Sequence, residues 1–240
     1  MSDRSVVIIV PCFNEAARLC AEPVHELVDA ADCEILLVND GSTDGTADLL
    51  AQMASAHSRI SVHSLARNSG KAEAVRQGLL AAIASGATHV GFADADFATP
   101  PDEVARLVHR CVDDRCRVVI GSRVDLLGHD IHRNNARHYT GRIFATISSV
   151  VLGFDVYDTQ CGAKVFAVTP LLRAALADRF VGRWSFDVEL LGRLAREGTE
   201  GFVEVPLLRW HEVGGSKLSL VDSVRATLEL FAVRRALARR

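Results

Sequence analysis

The feature that most constrains this chain is a repeated order in its first half: five short apolar runs, each followed by a polar cluster, with helical patterns between them. The runs lie at 5–10, 34–38, 60–65, 89–93 and 117–120, and the helical patterns between them at 15–30, 46–56, 71–85 and 101–111. Most of the runs lack the alternation of a strand with one wet face. Apolar strands separated by helices mean a parallel sheet covered on both sides, an α/β fold. Right-handed crossovers bring the C-terminal ends of such strands to one rim, where ligands bind in open sheets. The polar clusters at 11–15, 39–45, 67–71, 94–96 and 121–123 each follow a strand, so all five converge on that rim.

Composition narrows the class. The 240 residues are 49% hydrophobic and 24% charged with net charge -3, which fits one globular domain over 1–240 and gives no field to attract nucleic acid. Six cysteines without a C-x-x-C pair read as reduced, mostly buried thiols and point to a cytoplasmic compartment. The N-terminal apolar run is too short for a secretory leader. The longest later run, 143–154, falls short of a membrane span and reads as a core or interfacial helix.

The second half is less regular. Residues 125–135 are polar and rich in His and Arg, which predicts a mobile loop. Helices are expected at 134–153, 170–177 and 185–197, a strand at 162–168, and short strands at 202–205 and 207–210. A C-terminal helix over 218–239 carries Leu220, Val224, Leu228 and Phe231 as its apolar stripe.

Five motifs carry chemistry. Asp94-Ala95-Asp96 ends the fourth strand. Carboxylates two apart in extended chain point opposite ways, but a turn can aim both at one hard cation such as Mg²⁺ or Mn²⁺. Alone the triplet is a solvated turn more often than a site; its place on the rim raises its claim. Asp40-Gly41-Ser42-Thr43-Asp44-Gly45-Thr46 lacks the acidic residue that would close a calcium loop, so it reads as a tight turn into a helix, with Asp40 free to accept from a base or ribose. Asn68-Ser69-Gly70-Lys71 opens a helix, where amides and one Lys suit a pyrophosphate, although a capped helix start is the commoner meaning. Asp187 and Glu189 stand in the first turn of another helix on different faces, so one of them faces the site. The stretch 210–217 is Gly-rich and fits a lid bearing Lys217. His211 reads as a structural His before a metal ligand, and His129 and His132, with only Asp130 as acidic support, have little claim to a metal.

Taken together, Val10-Pro11-Cys12-Phe13-Asn14-Glu15, the 38–46 block, Asn68-Ser69-Gly70-Lys71 and Asp94-Ala95-Asp96 resemble the family-2 glycosyltransferases of GT-A fold. Asp158-Thr159-Gln160-Cys161-Gly162-Ala163-Lys164, Trp184–Glu189 and Gly215-Ser216-Lys217 are similar to the polyprenyl- and dolichyl-phosphate glycosyltransferases, nearest the dolichyl-phosphate glucosyltransferase branch. The resemblance implies a GT-A (Rossmann-like) sheet with a nucleotide-sugar half over 1–122, an acceptor half over 123–217 and an amphipathic helix over 218–240. It implies that Pro11, Asn14, Glu15 and Asp40, with Gly41 and Ser42, hold the base and ribose, and that Lys71, Asp94 and Ala95 line the nucleotide-sugar site. Asp96, with Asp94, would bind Mg²⁺ or Mn²⁺. Asp187 would lie near the acceptor, while Arg123, Arg133, Arg137, Gln160 and Lys217 would serve acceptor or donor phosphates, with Asp187 and Lys217 in catalytic roles.

The expected activity is therefore inverting transfer of a hexose from a nucleotide-diphosphate sugar, UDP-glucose first, to a polyprenyl phosphate. UDP-N-acetylhexosamine, GDP-mannose and a soluble acceptor stay open. The C-terminal transmembrane helices common in that family are not found in the sequence, so a cytoplasmic placement is expected, and peripheral contact with the cytoplasmic face of a membrane stays open. Nucleic acid is not an expected partner, and a homodimer is compatible with the sequence.

Overall fold

The computed structural model describes residues 5–132, 135–213 and 220–239, with side chains described outside 135–140 and 220–224. The expected alternation is present: β1 (Val6–Cys12), α1 (Ala21–Ala30), β2 (Glu34–Asn39), α2 (Thr46–Ala56), β3 (Ile60–Ser64), α3 (Lys71–Ala84), β4 (His89–Phe92), α4 (Pro101–Asp113) and β5 (Val118–Ser122). Helix α1 begins six residues later than expected. Residues 15–20 turn instead: Arg18 N and Leu19 N both donate to Glu15 O, while Glu15 N and Ala16 N donate to the side chains of Thr46 and Asp44.

The second half contributes β6 (Asp130–His132), α5 (Asn135–Leu152), β7 (Lys164–Ala167), α6 (Pro170–Ala177), α7 (Phe186–Leu194), β8 (Phe202–Pro206), β9 (Arg209–His211) and α8 (Leu220–Ala238). The segment expected as a continuous helix to 197 changes to a 3₁₀ turn at Ala195–Glu197. The segment expected as a mobile loop contains β6, which pairs with β9 as a separate parallel two-stranded sheet.

The main sheet has seven strands in the order β3-β2-β1-β4-β7-β5-β8. All are parallel except β7, which runs antiparallel between β4 and β5. The ends of β1, β2, β3, β4 and β5 that carry the polar clusters therefore lie on one edge, while β7 starts from that edge.

Alternate strand residues feed two cores. Ile8, Val10, Ile35 and Leu37 pack under α1, α2 and α4 through Val24, Leu27, Leu50, Val104 and Leu107. Val7, Ile9 and Val38 face α3, α6 and α7 through Leu79, Ile83, Leu172 and Leu190. Burial on both faces explains why these strands carry no polar alternation.

Helix α8 packs elsewhere. Among its described side chains the buried ones are Ala226, Leu230 and Val233, with Leu230 and Val233 set against Val188 of α7 and Phe144 and Ile147 of α5. This corrects the expected stripe: Leu228 and Phe231 are 63% and 61% exposed. The side chains of Leu220 and Val224 lie outside the described residues.

Candidate functional site

The loops after β1, β2 and β3 are tied to one another by short-range polar bonds. Asn14 sits at φ 53. Its N–H donates to Ser42 Oγ at 3.1 Å, and its Oδ1 accepts from Thr43 N at 2.9 Å. Thr46 Oγ1 accepts from Glu15 N at 2.8 Å, and Asp44 Oδ1 accepts from Thr46 N at 3.0 Å. Glu15 is buried and paired with Arg18.

Asp40 is not free, contrary to expectation. Its two carboxylate oxygens accept from Ser69 N at 2.7 Å and Gly70 N at 2.8 Å. Burial raises the Asp40 pKa above the usual carboxylate range even though these N–H groups pull it down. Gly41 (φ +62) lies so close to the Arg67–Asn68 backbone that a Cβ there would collide with it. Asp40 and Gly41 thus hold the 67–70 loop in place, and that loop opens α3 at Lys71.

Lys71 reaches the end of β4. Its ammonium lies 2.5 Å from Asp94 Oδ1, both side chains about one-third exposed. After Asp94 the chain turns sharply: Phe97 N donates to Asp94 O at 3.0 Å, and Phe97 adopts φ 47. Asp96 Oδ1 accepts from Ala98 N at 3.1 Å. Burial first, then the charge of Asp94, raises the Asp96 pKa, as expected when a turn brings the two carboxylates together. Burial works against the Lys71 ammonium, but Asp94 and then Asp187 outweigh it and raise its pKa.

Asp187, at the start of α7, faces the same place. It is 5% exposed and accepts from the ammonium of Lys164 at 2.7 Å. Lys164, on β7, is fully buried and also donates to Cys161 O at 2.6 Å. Burial raises the Asp187 pKa, opposed by Lys164 and Lys71. Glu189 turns away: it accepts from Val181 N, Gly182 N and the Arg193 guanidinium, at 2.7, 3.2 and 2.6 Å. Of the two acids, Asp187 is the one at the sheet edge.

The Asp158–Lys164 segment frames this cluster. Arg123 donates from Nε and Nη2 to Asp158 at 2.6 and 2.8 Å and stacks over Trp210. Glu204 accepts from Tyr157 N and Asp158 N, and Gln160 Nε2 donates to Trp184 O at 3.2 Å. The Gly162 backbone touches the Asp94 carboxylate so closely that any Cβ would collide with it. Gly162 therefore sets where Asp94 sits.

Several predicted residues thus meet: Lys71, Asp94, Ala95, Asp96 and Asp187 lie together, with Pro11, Asn14, Glu15, Asp40, Gly41 and Ser42 in the adjoining stitched loops. Arg123 is already committed to Asp158. Arg133 and Lys217 lie outside the described residues, as does the side chain of Arg137.

Sequence reasoning missed Lys164, Arg18 and Glu229. Lys164 stood within a quoted motif, and a lysine inside an apolar strand was the available signal. Glu229 of α8 accepts from Trp184 N at 2.9 Å, Ser185 N at 3.2 Å and Ser185 Oγ at 3.1 Å, which fixes the start of α7 and with it Asp187. No local signal marks that bond.

The site offers a hard divalent cation an oxygen-only set, Asp94 and Asp96, with one Asp96 oxygen left over from its bond to Ala98. This donor chemistry fits Mg²⁺ or Mn²⁺, which take carboxylates together with phosphate oxygens. Among the described residues, Asp94 and Asp96 belong to no group of three close metal-binding side chains.

Residues 7–176 match the family model Glycosyl transferase family 2. The chain is 30% identical to dolichyl-phosphate beta-glucosyltransferase ALG5C of Trichomonas vaginalis, over 97% of its own length and 71% of the relative's. It is 35% identical to the Drosophila melanogaster dolichyl-phosphate beta-glucosyltransferase, over 88% and 68%. Among solved structures it is similar to the mannosyltransferase PcManGT of Pyrobaculum calidifontis in complex with GDP-Man and Mn²⁺ (TM-score 0.66, 19% identity, 99% of this chain and 65% of that one). It is also similar to S. aureus TarS 1-349 in complex with UDP-GlcNAc (TM-score 0.59, 15% identity, 96% and 66%). At these identities the likeness is one of fold, the expected GT-A sheet.

Proposed function

The chain belongs to glycosyltransferase family 2, and from that premise we propose that it transfers a hexose, glucose first, from a nucleotide-diphosphate donor to a polyprenyl phosphate. The observation that carries this reading is the meeting of Asp94, Asp96, Lys71 and Asp187 at the edge of the sheet. The names of the 30–35% identical relatives support the lipid-phosphate acceptor and the glucosyl donor.

On this reading residues 1–122 hold the nucleotide sugar and residues 123–217 the acceptor. The stitched loops after β1 and β2 shape a slot for base and ribose, with Pro11, Asn14, Gly41 and Ser42 lining it and Glu15 and Asp40 fixing its walls. Lys71 sits where α3 begins, so its ammonium and the first amides of the helix present positive potential to a diphosphate. Asp94 and Asp96 would hold Mg²⁺ or Mn²⁺, which would supply charge to stabilise the departing nucleoside diphosphate. Lys217, and the arginines at 133 and 137, are assigned to phosphates of donor or acceptor.

The acceptor phosphate is already ionised near neutrality, so direct displacement with inversion needs no strong base. Asp187 then serves by orienting the acceptor edge through its bond to Lys164 rather than by taking a proton. An alcohol acceptor would require a base, whose help is typically worth about 10²–10⁴-fold. No helix among the described residues is long and apolar enough to cross a membrane. On the same reading the chain meets a lipid acceptor by peripheral contact at the cytoplasmic face of a membrane.

The test is nucleoside-diphosphate release from UDP-glucose with Mg²⁺ or Mn²⁺, with and without a short polyprenyl phosphate. Release that needs both lipid and metal supports the proposal. UDP binding without lipid-dependent release refutes the acceptor, and faster turnover with GDP-mannose or UDP-N-acetylglucosamine refutes the sugar.

A further inference from the structure

The small parallel sheet of β6 and β9 holds three metal-binding side chains on one face. Asp130 and His132 are two residues apart in β6, so their side chains project to the same side. In the register, Asp130 pairs with Arg209 and His132 with His211, which sets His211 directly across from His132. The side chains converge accordingly: His132 Nε2 lies 2.7 Å from Asp130 Oδ1, and His211 Nε2 lies 2.7 Å from Asp130 Oδ2. The two imidazoles meet edge to face at 4.9 Å between centroids. One ligand atom from each residue lies within 4.8 Å of the other two, and among the described residues this is the one such group of His, Cys, Asp or Glu.

We propose that Asp130, His132 and His211 form a metal site, separate from the Asp94–Asp96 pair, for a borderline divalent ion such as Zn²⁺. The donor set decides the class: two imidazoles and one carboxylate suit Zn²⁺ or Ni²⁺, whereas Mg²⁺ and Ca²⁺ prefer oxygen alone. In a tetrahedral zinc site with Zn–N and Zn–O of 2.0–2.2 Å, ligand atoms stand about 3.3 Å apart. The three ligand atoms, now within 4.8 Å of one another, would reach that spacing by side-chain rotation, which exposed side chains do freely. Three protein ligands leave a fourth position open to water.

The site also has a structural consequence. Strands β6 and β9 are three residues each and lie 79 positions apart at the His132–His211 pair, so their pairing closes a long loop with few bonds. His211 N also donates to Ala98 O, two residues beyond Asp96. An ion bridging β6 and β9 would pin the chain that follows β5 to the chain that contacts the Asp96 turn. It would act as a clasp beside the site rather than as part of it.

The experiment is calorimetric titration of the full, tag-free chain with Zn²⁺ in metal-free buffer, repeated on His132→Ala, His211→Ala and Asp96→Asn. The expected result is one site that survives excess Mg²⁺ and Asp96→Asn, and that each His variant weakens at least about tenfold. Co²⁺ in place of Zn²⁺ should give a visible absorption band that both His variants lose. All three side chains are exposed, so circular dichroism of the variants should match the wild type. Zn²⁺ binding that the His variants leave intact, that Asp96→Asn removes, or that is absent altogether overturns the proposal.

Discussion

The loops after β1–β3 and the 123–213 segment meet at one edge of the sheet but are held by different means. The first are tied by uncharged or singly charged bonds between loops of neighbouring strands: Asn14 to Thr43, Thr46 to Glu15, Asp40 to Ser69 and Gly70. The second is held by desolvated ion pairs: Arg123 with Asp158, Lys164 with Asp187 and, within α7, Arg193 with Glu189. Loops following consecutive parallel strands are brought side by side by the sheet itself and need only alignment. The 123–213 segment crosses an antiparallel strand and an isolated strand pair, so charge is used to specify which parts meet.

The sharpest break in this comparison is Arg193→Ala. It leaves the fully buried Glu189 carboxylate without its cation and removes three donors to backbone carbonyls of residues 175, 178 and 179. The expected loss is about 3–5 kcal/mol of unfolding free energy, measured by urea denaturation. An unchanged midpoint would mean that the pair does not hold this half.

Gly162→Ala tests the contact between the two regions. The new methyl must displace Asp94, costing about 1–3 kcal/mol of stability. Donor turnover should fall about 100-fold because the carboxylate leaves its place. Normal turnover would show that Asp94 tolerates relocation.

Glu229→Ala removes the acceptor for three donors at residues 184 and 185. A stability loss of about 1–2 kcal/mol is expected. The loss in kcat should exceed any change in KM for the nucleotide sugar, since the disturbance falls on α7 and not on the donor loops.

The smallest effect is of opposite sign. Burial and the neighbouring Asp94 charge raise the Asp96 pKa in the folded state. Its neutral form is therefore the one that folding favours: that stability is present below the unfolded value near 3.9 and is lost as pH rises through the raised folded value. In EDTA at pH 7, Asp96→Asn should raise the melting temperature by about 2 °C. The gain should vanish near pH 3, where wild-type Asp96 is already protonated. The same variant should lose metal-dependent turnover.

These comparisons separate what could be read from the chain and what could not. In the first half, strand and helix bounds fall within two residues of expectation apart from the start of α1, because β1, β2, β4 and β5 are mostly apolar on both faces and each turn carries its own polar cluster. The candidate residues there come together for the same reason, although Asp40, expected to be free, accepts from Ser69 N and Gly70 N. In the second half, α8 has apolar residues on two sides, and periodicity alone selected the side that stays in water.

The amino-acid sequence by itself determined the doubly covered parallel sheet, the edge at which the polar clusters gather and the acids that stand there, since each of these follows from residues close together in the chain. Only the tertiary structure decided the direction of β7, the pairing of β6 with β9, the burial of Lys164 against Asp187 and the bond from Glu229 to the start of α7. Each of those joins residues between 23 and 79 positions apart. A contact of that range leaves no periodic trace in sequence, because its energy depends on which surfaces the rest of the fold has already brought together.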